Sequence, residues 1–376
     1  ILARHFEGYV PRAGQIEMAR AVDAALADSE HLLVEAPTGV GKGVAYSVPA
    51  THHAVKNKSR VVIATANIAL QEQLVEKDLP LLAGILPWDF RFALLKGRSN
   101  YLCLERRFRE QQVARSASPG GPGDSWMETE MVEWGDSTET GDVSELSFQP
   151  PHRLWQRYST TSEECKGKDC EYFEQCFYVK ARAAAEEADV VVVNYHLLFA
   201  HLKVRAAVGQ SLVLPAFDTV ILDEAHKAAD IARDFFGVRI TAGQVRWAAR
   251  MLKDFGKDEL YRAVCEAATE LFEDLELHRS CPSYKSRLKR PGVVTYDKLC
   301  GLLRQTAEVL VNAWAYDKAE AAECINAAER CETLAGEIQW AIDLADDSSV
   351  VFIEPGRRGE AVLRSKPIEV SGLLKK

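Results

Sequence analysis

The chain has 376 residues, 47% of them hydrophobic and 27% charged, as expected of a globular protein with more than one core. Its formal net charge of −9 argues against coating nucleic acid by bulk charge and leaves room for a local basic groove. No apolar run reaches the roughly eighteen residues of a membrane span, and no basic-then-apolar leader opens the sequence, so a cytoplasmic protein away from membranes is expected.

Residues 1–100 alternate apolar runs with amphipathic stretches. His31–Ala36 (HLLVEA) reads as a buried strand, followed by a glycine-rich turn and a helix from Lys42. Arg60–Ala66 (RVVIATA) and Arg91–Leu95 (RFALL) read as further strands, with a helix over Asn67–Lys77 between them. Such alternation predicts an α/β domain with a parallel sheet covered on both faces. Ser116–His152 is rich in Ser, Gly, Pro, Asp and Glu and lacks Lys and Arg, so it reads as an acidic stretch that is mostly loop and partly mobile. The sheet pattern resumes at Asp189–Val193 and Thr219–Leu222. Residues 101–180 are therefore an insertion, and 181–227 continue the first domain. Residues 228–348 carry helical spacing and read as a second insertion, with 349–376 expected to return to the sheet through Val350–Ile353.

The chemistry-bearing segments follow the strands. Glu35-Ala36-Pro37-Thr38-Gly39-Val40-Gly41-Lys42-Gly43 lies between a predicted strand and a predicted helix. A loop there points successive backbone N–H groups at one spot, the helix start adds its dipole, and Lys42 can reach the β- and γ-phosphates of ATP. This is P-loop context, with two departures. Ala36 stands for the first glycine, and Gly43 stands where a Ser or Thr hydroxyl ligates Mg²⁺. The strand Thr219–Leu222 ends in Asp223-Glu224-Ala225-His226. In such sheets Asp223 would hold Mg²⁺ through water and Glu224 would deprotonate the attacking water. An acidic helix start is the plainer reading of that box, and the P-loop upstream makes it the weaker one.

Nine cysteines without a leader point to thiols or a metal site. Cys103, Cys165, Cys170 and Cys176 flank the first insertion, and four thiolates suit either Zn²⁺ or an iron–sulfur cluster. Cys265, Cys281, Cys300, Cys324 and Cys331 lie at no ligand spacing and read as free thiols.

Together the P-loop, the DEAH box, the cysteines between them and the phrase VVVVNYHLL (Val190–Leu198) resemble the superfamily 2 helicases of the DinG/XPD kind. The resemblance covers nearly the whole chain. It implies a RecA-like first motor domain interrupted by a [4Fe–4S] insertion held by the four cysteines and by a helical Arch-like insertion. It implies ATP hydrolysis with Mg²⁺, translocation 5′ to 3′, and single-stranded or forked DNA as partner. Gln15 falls where the family reads adenine, with Phe6 or Tyr9 stacking on the base. His226 joins the ATP-binding set with Ala36 to Gly43 and Asp223. Thr65, Asn67 and Gln71 resemble a DNA-backbone motif, for which helix capping is the plainer alternative. Lys96, Arg98 and Arg106, with Arg107, Arg109, Arg153, Arg157, Lys166 and Lys168, interleave with Tyr101, Phe108, Trp155 and Tyr158. That mixture suits phosphate attraction and base stacking without sequence readout.

The family's second RecA-like domain, which carries its arginine fingers, has no match in the chain. Such fingers contribute about 10³ to 10⁵ in rate in related phosphate chemistry, so this chain alone is expected to hydrolyse ATP poorly and not to unwind. Two other readings stand beside the helicase: a nucleic-acid-binding module with a degenerate ATP site, for which Gly43 speaks, and a CRISPR-associated DinG working with an RNA-guided complex.

Overall fold

The structure, a computed structural model, describes residues 10, 12–116, 126–277, 286–287, 296–314, 321–343, 347–356 and 359–374. Phe6, Tyr9 and Cys281 lie outside the described residues, as do residues 117–125 of the predicted acidic loop. The chain divides into two compact units, residues 1–228 and 229–375.

The first unit is built on four short strands, β1 (Val61–Thr65), β2 (Phe92–Leu94), β3 (Val190–Asn194) and β4 (Thr219–Leu222), in the order β2-β3-β1-β4. Every pairing is parallel, with Ile63 opposite Val192 on one side and Ile221 on the other. β1 is buried throughout and β3 over its four valines, as unbroken aliphatic runs are when helices cover both faces. Helices α1 (Ala13–Asp28), α2 (Lys42–Asn57), α3 (Ile68–Gln73) and α4 (Leu79–Ile85) precede the first insertion. Tyr46, Ala50 and Ala54 of α2 and Leu79 and Leu82 of α4 pack against Val61, Ile63, Val190 and Val192. One arginine ties the strand beginnings together: Arg60 donates to the carbonyls of Ala188 (3.0 Å), Ala216 (2.6 Å) and Glu186 (2.5 Å).

The expected strand over His31–Ala36 does not form. The segment pairs with none of the described strands, and Leu32, Leu33 and Val34 are 45%, 89% and 36% exposed. β3 and β4 take both edges of β1, and the outer edge of β4 has no partner among the described strands. β4 alternates half-buried and exposed residues, and Val220 and Leu222 stay open.

The acidic stretch is also more ordered than its composition implies. Residues 126–152 hold a helix, and four helices furnish the insertion: α5 (Leu104–Ser116), α6 (Trp126–Ser137), α7 (His152–Tyr158) and α8 (Phe177–Glu187). Met131 of α6 is fully buried, and Arg107 of α5 donates to the Asp136 carboxylate and the Val132 carbonyl. The acidic residues thus have cationic partners supplied from outside the tract. α9 (Tyr195–Val208) follows β3, with Asn194 capping it by accepting the Leu197 N–H at 2.8 Å.

The second unit is mixed rather than purely helical. Its helices α10 (Ala228–Phe236), α11 (Ala242–Ala248), α12 (Asp258–Leu277), α13 (Tyr296–Trp314) and α14 (Ala321–Asp343) accompany strands β5 (Arg239–Ile240), β6 (Ser286–Arg287), β7 (Ser349–Pro355) and β8 (Ala361–Pro367). Apolar residues three and four apart, such as Val264, Ala267, Ala268, Leu271 and Leu275, make the buried stripe of α12. Residues 350–353, expected in the parallel sheet, pair instead with β8 in an antiparallel sheet of order β5-β8-β7-β6. The turn between β7 and β8 is short enough for a hairpin, which fixes antiparallel pairing. Cys300, Cys324 and Cys331 are buried thiols of this unit in no disulfide, and Cys265 is half-buried.

Candidate nucleotide site and cysteine insertion

The P-loop leads straight into α2. Gly39 (φ 81°) and Gly41 (φ 85°) adopt left-handed backbone, which glycine enters without steric cost. A side chain at Gly41 would also strike the Gln15 amide. That amide donates to the Gly41 carbonyl at 3.1 Å, and Arg12 donates to the Gly39 carbonyl. Gln15, expected at the base, is therefore joined to the loop itself, and Arg12 is a loop-holding residue that the sequence did not single out.

β4 delivers the acidic box to the same place. The Asp223 N–H donates to the Ala64 carbonyl at 2.9 Å, extending the β1–β4 ladder by one bond. Glu224 then turns into left-handed backbone (φ 56°, ψ 45°), a strained conformation for a non-glycine residue. The turn swings its carboxylate to the P-loop, where Lys42 Nζ donates to Glu224 Oε1 at 2.7 Å. This bond holds the Glu224 carboxyl below its usual range. His226 is exposed, with Nδ1 3.4 Å from Glu224 Oε2. Asp223 moves the other way: burial, and then the neighbouring Glu224 charge, raise its pKa.

Two tyrosines hold the box in place. Tyr46, on α2 one turn beyond Gly43, lies beside Asp223, and burial, then the Asp223 charge, keeps its phenol protonated. Tyr195 at the start of α9 donates to the Asp223 carbonyl at 2.9 Å. Neither was flagged by sequence, because each sits at an ordinary apolar position of its helix.

Position 43 has a neighbour of its own. Residues Leu74–Asp78 form a π-helical turn between α3 and α4. It brings Asp78 Oδ2 to 2.6 Å from where a Cβ at Gly43 would stand. Burial raises the Asp78 pKa, with the Gln73 amide and the Lys77 charge offsetting part of that shift.

The DNA-contact candidates divide. Asn67 caps α3 by accepting the Leu70 N–H at 3.0 Å, and Thr65 is buried and donates to the Asn67 carbonyl at 3.0 Å. Gln71 is fully buried with its side-chain polar atoms unpaired. Lys96 is 1% exposed and sits between Asp142 (2.8 Å) and Glu72 (3.3 Å) while donating to Ser144 at 3.0 Å. It is a buried cation clamp rather than a surface phosphate contact. Arg106 pairs with Glu164 at 2.8 Å, and Arg157 with Glu110 and Glu128. Tyr101 and Tyr158, expected as stacking rings, are buried, whereas Phe108 is 48% exposed beside Tyr172. The basic residues are thus spent largely on the insertion's own acidic residues, a pairing that composition alone does not reveal.

All four insertion cysteines are half-buried free thiols. The Cys170 thiol lies within electrostatic reach of Cys165 and Cys176, and Cys103 of Cys170, and burial raises both Cys103 and Cys170. Cys165 Sγ accepts from Arg98 Nη1 at 2.8 Å and from the Gly167 N–H at 3.3 Å. Such donors suit thiolate sulfur, so the residues fit a four-cysteine group in type. Among the described residues, no three His, Cys, Asp or Glu side chains stand close enough to enclose a metal ion. Arg98 also stacks over the Tyr178 ring at 4.1 Å, which places it among the sulfurs rather than on a DNA surface.

Known proteins agree with this arrangement. The DEAD/DEAH box helicase family matches residues 17–97 and the DEAD_2 family residues 71–245. The chain is 38% identical over 298 residues to the ATP-dependent DNA helicase YoaA of Escherichia coli, covering 77% of this chain and 44% of that protein. It is 37% identical over 266 residues to the ATP-dependent helicase DinG of Mycobacterium tuberculosis, covering 65% of this chain and 38% of the relative. The chain thus spans less than half the length of these two curated relatives. A solved structure of S. tokodaii Xpd4 aligns with a TM-score of 0.50 at 13% identity, over 97% of this chain and 54% of the other, which supports the RecA-like fold. The DEAD/DEAH and DEAD_2 matches, with the YoaA and DinG relatives, support a DinG/XPD-like superfamily 2 helicase.

Proposed function

We propose that this chain is the ATP-binding part of an ATP-dependent DNA helicase. The observation that carries the reading is the meeting of Lys42 and Glu224, 182 residues apart in sequence, at 2.7 Å. A P-loop lysine beside a strand-borne carboxylate is the arrangement phosphoryl transfer to water requires. The lysine binds the terminal phosphates. Asp223, presented at the end of β4 beside Tyr46, would hold the cation; Mg²⁺ would supply charge neutralisation at the phosphates. Glu224 orients and deprotonates water once nucleotide has drawn Lys42 away from it. Related proteins named ATP-dependent DNA helicase support DNA as the partner.

Cys103, Cys165, Cys170 and Cys176 would hold a [4Fe–4S] cluster, which would cross-link the insertion. Arg98 and the Gly167 N–H would serve its sulfur ligands as donors. Residues 229–375 take the place of the Arch domain. Travel is 5′ to 3′ on single-stranded DNA. The test is strand displacement by the full-length protein on duplexes bearing either a 5′ or a 3′ single-stranded tail. ATP-dependent displacement confined to the 5′-tailed duplex is expected. Displacement from the 3′ tail alone would reverse the polarity, and none from either would refute the helicase.

A further inference from the structure

Gly43 is not explained by its backbone. It lies in the first turn of α2 and is absent from the left-handed residues, unlike Gly39 and Gly41. What excludes a side chain there is space. A Cβ would meet Asp78 Oδ2 at 2.6 Å and Leu74 Cδ2 at 3.4 Å. The carboxylate therefore lies against the place where a P-loop hydroxyl would start.

Two further observations concern the neighbourhood of Asp78 and Gly43. Gly43 and Tyr46 are three apart and share one face of α2. The aim comes from the π-helical turn ending at Asp78, an irregularity frequent at functional sites. Mg²⁺ at nucleotide sites is commonly held by one or two carboxylates with phosphate oxygens and water.

We propose that Asp78 supplies, from the π-helical turn, the oxygen that position 43 does not carry, so that the nucleotide-bound cation is held by Asp78 and Asp223. The proposal rests on reading the P-loop as an ATP site. It turns Gly43 from a defect into half of an exchange: the residue after the P-loop lysine gives up its side chain, and the neighbouring carboxylate takes its place.

The experiment measures Mn²⁺ binding by the loss of the free-ion electron paramagnetic resonance signal. The protein is saturated with a non-hydrolysable ATP analogue, and analogue affinity is measured separately without divalent cation. Asp78→Asn, nearly the same shape, is expected to weaken Mn²⁺ by about 10- to 100-fold and to leave cation-free analogue affinity unchanged. Asp78→Ala combined with Gly43→Thr opens the space and restores a hydroxyl, and should regain most of the Mn²⁺ affinity lost by Asp78→Ala alone. Thermal melts of each variant verify folding. Mn²⁺ affinity unchanged in Asp78→Asn would overturn the proposal and leave Asp78 as a space-filler beside Gly43. If the wild type does not bind the analogue and Lys42→Ala makes no difference, the ATP-site reading falls too, and the proposal falls with it.

Discussion

Lys42 Nζ donates to Glu224 Oε1 at 2.7 Å, closing the P-loop onto the DEAH box. Both side chains are about a quarter exposed, so the pair is a partly screened surface bridge. Phosphate must displace it before Lys42 can bind ATP and Glu224 can address water. Glu224→Gln weakens the bridge and removes the base. ATP affinity should rise by no more than about fivefold, the worth of an exposed pair, while turnover falls by about 10² to 10⁴. Titration with a fluorescent ATP analogue and a steady-state phosphate assay measure the two effects.

The same pair sets a pH signature. Lys42 lowers the Glu224 pKa in the folded protein. A depressed carboxyl contributes stability that is present above its unfolded pKa and lost as pH falls through the folded value. Thermal midpoints of wild type and Glu224→Gln should differ at neutral pH and converge on the acid side of the ordinary glutamate range. A difference that grows as pH falls would contradict the bridge.

Lys96 is held by Asp142 and Glu72 with almost no exposure. Replacing it by methionine strands two carboxylates and should cost about 3–5 kcal/mol in denaturant unfolding, the usual loss when one partner of a buried pair is removed. The salt dependence of DNA binding by the folded fraction should keep its slope, because no phosphate contact is lost.

Gln15 donates to the loop carbonyl of Gly41. If this bond is its main task, Gln15→Ala lowers affinity for ATP and GTP by equal factors. A selective loss of ATP would assign the amide to the adenine base instead.

The sheet and the site were legible in the sequence to different depths. β1, β2, β3 and β4 fall within a residue or two of their aliphatic runs, and for β1 and β3 burial on both faces leaves no other pattern. The P-loop glycines were legible through their spacing, and Asp223 and Glu224 through the strand before them. His31–Ala36 misled because an apolar run does not say whether the segment pairs with a neighbouring strand. Val350–Ile353 was read correctly as strand and placed in the wrong sheet, since pairing partners are set by tertiary structure. The acidic tract concealed α6 because its charges are neutralised by Arg107 and Arg157, which lie outside it. Asp78 could not have been found by motif: its role depends on a π-helical turn and on a side chain that Gly43 lacks.

The central claim is a DNA-responsive ATP site built on Lys42 and Glu224. Its most direct test is ATP hydrolysis by the full-length protein with and without single-stranded DNA, with Lys42→Ala as the blank. Turnover stimulated by DNA and abolished in Lys42→Ala is the predicted result. DNA binding with no turnover above the blank would contradict it and leave a nucleic-acid-binding module with a degenerate ATP site.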